Sequence, residues 1–164
     1  MKKYVINKNE NITIKIINGG EYVVELAGEG AEVNIMGGWH LKGRQELKVK
    51  LNIIHQAPHT TSHTLFKAVV GDKAMADIRG KIIVEKKAQQ TEAFLKEVIL
   101  LVSAGARATA VPDLEIEAND VHCSHAAAVS KINPEQLYYL TSRGLSKSQS
   151  EDMIVEGFLR EVGI

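Results

Sequence analysis

The chain alternates apolar and polar residues over most of its length. In the stretch LKVKLNI, Leu47, Val49, Leu51 and Ile53 take every second position, and Lys48, Lys50 and Asn52 stand between them. Ile12, Ile14 and Ile16 repeat the pattern with Lys15 turned the other way. Shorter pieces recur at Val33 and Ile35, Ile82 and Val84, and Leu114 and Ile116. Successive strand side chains point to opposite faces, so this period of two predicts half-buried strands from about residue 12 to about residue 125. Turn signals are read at Gly19-Gly20, Gly28, Gly30, Gly37-Gly38, Gly43, Gly71-Asp72, Gly80 and Ala104-Gly105. Many short strands between turns imply a sandwich, a barrel or a solenoid. No fixed repeat length shows by inspection, so the period alone does not choose among them.

After residue 130 the period becomes helical. Asn133-Pro134-Glu135-Gln136 reads as an N-cap, a proline at the first helical position and a capping-box glutamine. Leu137 and Leu140 mark the apolar stripe, with Tyr138 or Tyr139 beside it, and Gly144 stops the helix. Ser146-Lys147-Ser148-Gln149 repeats the box and opens a second helix, whose inner face should carry Met153, Ile154, Phe158 and Val162. The expectation is an all-β body over residues 1–130 and a C-terminal helical hairpin over 131–164.

Composition narrows the function classes. Lysine plus arginine balance aspartate plus glutamate at 20 each, which supplies neither a nucleic-acid footprint nor a polybasic membrane patch. The most apolar window, Val98-Ile99-Leu100-Leu101-Val102, is far short of the roughly 20 residues that span a bilayer. With no apolar stretch of signal-peptide length in the N-terminal MKKYVINKNENITI and a single cysteine, the expected location is the cytoplasm.

That cysteine lies in Val121-His122-Cys123-Ser124-His125. On a strand, Cys123 and His125 share one face while His122 and Ser124 take the other. A thiolate and an imidazole on one face can ligate a soft metal or form a nucleophilic pair. The same spacing also fits a small buried thiol beside a surface histidine. His55, His59 and His63 stand four residues apart, but Pro58 and the threonines oppose a helix. In an extended chain the three still share a side, but successive members lie about 13 Å apart, beyond the reach of one metal. Asp113, Glu115, Glu117 and Asp120 read as a solvated strand face. Gly28-Glu29-Gly30 lacks the context of a phosphate loop, and no Gly-x-Ser-x-Gly elbow occurs.

Three stretches resemble one known family. They are IIHQAPHTTSHTLFKAVVGDKAMADIRGKIIVEKKAQQTEAF, LLVSAGARATAVPDLEIEANDVHCSHAAAVSKINPEQLYYLTSRGL and SQSEDMIVEGFLREV. From about residue 55 onward the chain is similar to the SufB/SufD family, core scaffolds of the SUF iron–sulfur cluster assembly system. PDLEIEANDVHCSHAAAVSKI and EQLYYLTSRG are the specific segments. The first 50 residues match only in being β-like.

The resemblance implies a right-handed parallel β-helix followed by a helical segment that docks the ABC-type ATPase SufC. Tyr138, Tyr139 and Arg143, with the 146–162 helix, are the implied docking residues. It also implies that two scaffold subunits, alike or different, pair near the end of the β-helix. Cys123 and His125 match the family's Cys-x-His, associated with that interface and with nascent cluster assembly. Ala126 stands where many members have glycine and SufB-type members an acidic residue. Without the family's long N-terminal region, a minimal scaffold is expected, with any thiol chemistry confined to Cys123.

One Cys and one His cannot hold a cluster, but a two-fold axis doubles both, and such ligands serve iron–sulfur centres. The expected cofactor is therefore a transient iron–sulfur cluster, and the expected role is assembly rather than catalysis. Two other readings are a zinc- or copper-binding β protein and a β-helix enzyme acting on polysaccharide through carboxylates such as Asp113 and Glu115. Aromatics at 5% of residues are few for a sugar platform.

Overall fold

A computed structural model of the chain describes residues 1–163. Ten strands precede two helices: β1 (Lys2–Ile6), β2 (Asn11–Ile16), β3 (Gly20–Leu26), β4 (Glu32–Leu41), β5 (Glu46–His55), β6 (Thr61–Val70), β7 (Met75–Val84), β8 (Thr91–Leu101), β9 (Arg107–Ile116) and β10 (Val121–Lys131). Helices α1 (Pro134–Ser142) and α2 (Lys147–Leu159) follow, and a short 3-10 turn runs over Arg160–Val162. Every strand pairing is parallel. Odd strands form one sheet in the order β1-β3-β5-β7-β9, and even strands the other, β10-β8-β6-β4-β2. Each coil thus gives one strand to each sheet, and the coils stack into a parallel β-helix. Of the three architectures the alternation allows, the solenoid is the one formed.

The repeat is hidden because its length varies. Lys2 pairs with Tyr22, 20 residues on; Glu46 with Met75, 29 on; and Met75 with Arg107, 32 on. Stacking depends on the corners, not on constant spacing. At the corners entering β2, β4, β6 and β8, Asn9, Gly30, His59 and Gln90 adopt left-handed φ values of 56°, 68°, 56° and 57°. Their amides donate to Glu29, Pro58, Gln89 and Asp120 carbonyls of the next coil. Only one of the four is glycine, so the sequence carries no uniform turn signal there.

The alternating apolar positions fill the interior. Leu51, Ile53, Phe66, Ile78, Ile82, Leu95 and Ile99 are buried between the sheets, as are Leu47, Val49, Ile14 and Ile16. Two glycine signals have another cause. Gly37 and Gly80 lie within β4 and β7 rather than in turns. A Cβ at Gly37 would collide with the Trp39 ring, and one at Gly80 would lie 2.6 Å from Leu95 Cδ2. Both make room for a large neighbour inside the coil.

The helical hairpin packs on the outer face of the even-strand sheet. Leu159 and Val162 join Val69 and Leu100 in a second apolar cluster, flanked by Ile132, Ile154 and Phe158. Asn133 Oδ1 accepts from the Glu135 amide at 2.8 Å, and Ser146 with Gln149 completes a reciprocal box. Met153 departs from the expected inner face. It is half exposed, because α2 meets the sheet through Ile154, Phe158 and Leu159 while Met153 lies toward α1.

Candidate functional site

β9 and β10 end their sheets, so the last coil is stacked on one side only. Along β10 the inward parity is set by β8: Cys123 pairs with Ala93, His125 with Leu95, Ala127 with Glu97 and Val129 with Ile99. The β8 partners are all buried. With no further coil above them, Cys123 is half-buried against the core and His125 is exposed. The expected shared face is therefore real, and it lies on the interior column where the solenoid opens to solvent. Burial pushes the Cys123 thiol above its ordinary pKa, opposed in part by a hydrogen bond with the Ala93 backbone. In the isolated chain the sulfur is a neutral thiol at pH 7.

His122 and Ser124 turn outward. The His122 ring meets Phe94 edge-on at 5.6 Å between centroids, and Phe94 stacks on His63 at 5.1 Å. The 55–63 histidines do not share a side. β5 ends at His55 and β6 starts at Thr61, so the extended reading is corrected by the corner between them. His55 is wholly buried, His59 is the exposed left-handed corner residue, and His63 lies on the outer face.

His55 is held by a closed polar network. Nδ1 lies 2.8 Å from Thr60 Oγ1 and Nε2 lies 2.9 Å from Ser62 Oγ. Thr91 spends its hydroxyl proton on Ala88 O, and Thr60 spends its own on Ala57 O or Thr91 Oγ1. Nδ1 therefore carries the imidazole hydrogen, and Nε2 accepts from Ser62. Desolvation lowers the His55 pKa to about 4. This histidine is structural.

Asp113 and Glu115 point outward and share Lys81, at 3.5 and 2.6 Å. Glu117 and Asp120 are exposed. Among the described residues no three His, Cys, Asp or Glu side chains converge on a metal position. No described helix is long and apolar enough to cross a membrane.

The helices form a second surface. Tyr138 and Tyr139 are 75% and 57% exposed on α1, which buries no residue of its own, and the Arg143 guanidinium lies 5.2 Å from the Tyr139 ring. Between the helices runs an open, mainly apolar groove of about 630 Å³, bounded by Tyr139, Leu140, Met153, Ile154 and Phe158.

Two buried charged residues escaped sequence reasoning. Lys67 anchors α2: its Nζ lies 3.0 Å from Phe158 O and 2.5 Å from Glu161 Oε2. Glu97 is wholly buried. Its parity with Ala93, Leu95 and Ile99 in TEAFLKEVILL was the signal available for it.

The fold is a parallel β-solenoid whose last coil presents a thiol and an imidazole on its open interior column. The family model described as "SUF system FeS cluster assembly, SufBD core domain" matches residues 7–158. The chain belongs to this SufBD family, and the match reaches well before residue 55, where the resemblance first becomes legible. An iron–sulfur cluster assembly SufBD family protein of Mycobacterium tuberculosis is 32% identical over 91% of this chain and 41% of its own length. A family protein of Synechocystis is 34% identical over 74% of the chain and 27% of its own length. The iron–sulfur cluster assembly protein SufD of Escherichia coli is 37% identical over 66% of the chain and 26% of its own length. The chain thus spans less than half the length of these relatives.

Proposed function

We propose that this chain is a scaffold on which an iron–sulfur cluster forms at a seam between two SufBD-type subunits. The observation that supports it most is that Cys123 and His125 occupy the exposed interior column of an edge strand. Edge strands are liable to pair with another chain unless charge or proline blunts them. β9 carries Pro112, and β1 and β2 at the opposite end carry Lys2, Lys3 and Lys15. β10 runs eleven residues with no proline and one lysine, at its end. It is the least protected edge.

Strand geometry then restricts the seam. In an antiparallel pair with the two-fold axis at Ser124, Cys123 of one subunit faces His125 of the other on the same side. Two thiols and two imidazoles then fall within a few ångströms of one line. An axis at Ala126 would hold the thiols roughly 20 Å apart along the strands, too far for one cluster. Incomplete thiolate ligation suits a site whose product must leave.

Anaerobic incubation with ferrous iron and sulfide is expected to give a visible-absorbing species that Cys123→Ala abolishes. Equal iron and labile sulfide in the substituted protein would remove this residue from the site. Zinc or copper without labile sulfide in freshly purified protein would favour the plain metal-binding reading instead.

The helical surface is proposed as the seat of the SufC-type ATPase. Exposed Tyr138 and Tyr139, the Arg143 beside them and the apolar groove support it. A scaffold of this kind works with a separate ATPase and in the cytoplasm.

A further inference from the structure

Glu97 is fully buried, and no side chain hydrogen-bonds either carboxylate oxygen; the one polar group acting on it is the Gly80 backbone, which falls outside good hydrogen-bond geometry. It projects from β8 into the interior between Phe66 of the coil before and Ala127 of the last coil. Opposite it is Gly80, where a Cβ would stand 2.7 Å from its Oε1, so the backbone of β7 is shaped around the carboxylate. Above Gly80 lies Pro112. Among the described residues, the cover between Glu97 and the open end of the solenoid is therefore the last coil alone, whose inward residues there are Ala110, Pro112 and Ala127. A carboxyl group costs far less to bury protonated than ionised, and this cover is thin.

We propose that Glu97 is a pH-dependent lock on the last coil: neutral, it keeps β9 and β10 seated; ionised, it draws water inward and loosens β10, the strand that carries Cys123 and His125. Among the described residues no interior charge compensates it. Phe66 faces it from β6, Gly80 from β7, Pro112 from β9 and Ala127 from β10. Arg79 and Lys81 flank Gly80 but turn outward to Asp77, Asp113 and Glu115. Lys67 turns outward to Glu161, and Lys96 is exposed. The titratable groups that share the inward column are His125, opposite Leu95, and Cys123 beyond it. Desolvation, opposed in part by the Gly80 backbone, raises the Glu97 pKa to about 7, which places the transition near neutrality.

The test is native-state hydrogen exchange on the full chain at pH 6 and pH 8, corrected for intrinsic rates, comparing β10 amides with those of β4. If opening of the last coil hydrates Glu97, linkage between about 7 closed and 4.5 open raises the β10 opening equilibrium about tenfold across this interval. In Glu97→Gln the β10 amides should show no such rise. Flat β10 exchange in the wild-type chain overturns the lock, even if β4 responds, because Glu97 would then stay buried when the last coil opens. An equal rise in Glu97→Gln overturns it too, by assigning the response to another group. Should Glu97→Gln fail to fold, Glu97→Met takes its place with the same two outcomes, and flat wild-type β10 exchange still overturns the lock.

Discussion

Buried His55 and Glu97 give the solenoid two opposed pH responses. The His55 pKa falls from 6.5 to about 4 on folding, so its contribution is fully present above pH 6.5 and is lost as pH drops through 4. Glu97 rises from 4.5 to about 7, so its contribution is fully present below 4.5 and is lost as pH climbs through 7. Each amounts to roughly 3 kcal/mol, and between pH 4.5 and 6.5 they oppose each other. Urea denaturation of the wild-type chain should give a stability nearly flat across that range. Glu97→Gln should lose stability on acidification, and His55→Asn should gain it. Slopes of the same sign in the two variants would contradict the assignment. Both residues stood at apolar parity in the sequence, beside Ile53 and Ile99, but parity alone does not say whether that face is dry.

At the scale of elements, the helices were legible in their caps and much less so in their docking. The Ser146 box and the Asn133 cap act through neighbours two or three residues away, so local sequence suffices to place them. The lysine that fastens α2 comes from β6. Lys67 meets the C-terminal carbonyl of Phe158 and the carboxylate of Glu161, and its ammonium sits 4.8 Å from the Phe158 ring. A cation at a helix C-terminus is favourable, and losing this bond should cost about 1–2 kcal/mol. Lys67→Met is therefore expected to weaken protection of α2 amides while the β4 amides hold, as hydrogen exchange would reveal.

α1 offers the cleaner test of partner docking. Because both side chains are exposed, Tyr139→Ala with Arg143→Ala should leave the melting temperature within a few degrees and abolish co-purification with the ATPase. Undiminished co-purification would move that surface elsewhere. Deleting residues 134–164 is less informative, since it uncovers Val69 and Leu100.

For the whole molecule, the two ends of the solenoid differ. Lysines guard the first coil, while the last presents β10 bare. The proposed seam predicts a register: with Cys123→Ser to remove the native thiol, Ser124→Cys should form an oxidised dimer across the axis, and Ala126→Cys should not. Non-reducing electrophoresis distinguishes the two. A cross-link only at 126 would separate the thiols too far for a shared cluster, and none at all would mean that the partner is not a second copy in this register.

Period-two alternation, helix caps and the Cys-x-His spacing depend on residues within a few positions of one another, and the sequence by itself determined them. It determined that Cys123 and His125 share a face, and that strands precede a helical hairpin. Only tertiary structure decided which glycines turn the chain and which make room for Trp39 or Glu97. It also decided that His59 is a corner, and that one coil lies open. The physical reason is the variable coil: contacts that bury or expose a side chain join residues 20 to 32 positions apart, through corners that share a conformation and not a residue type.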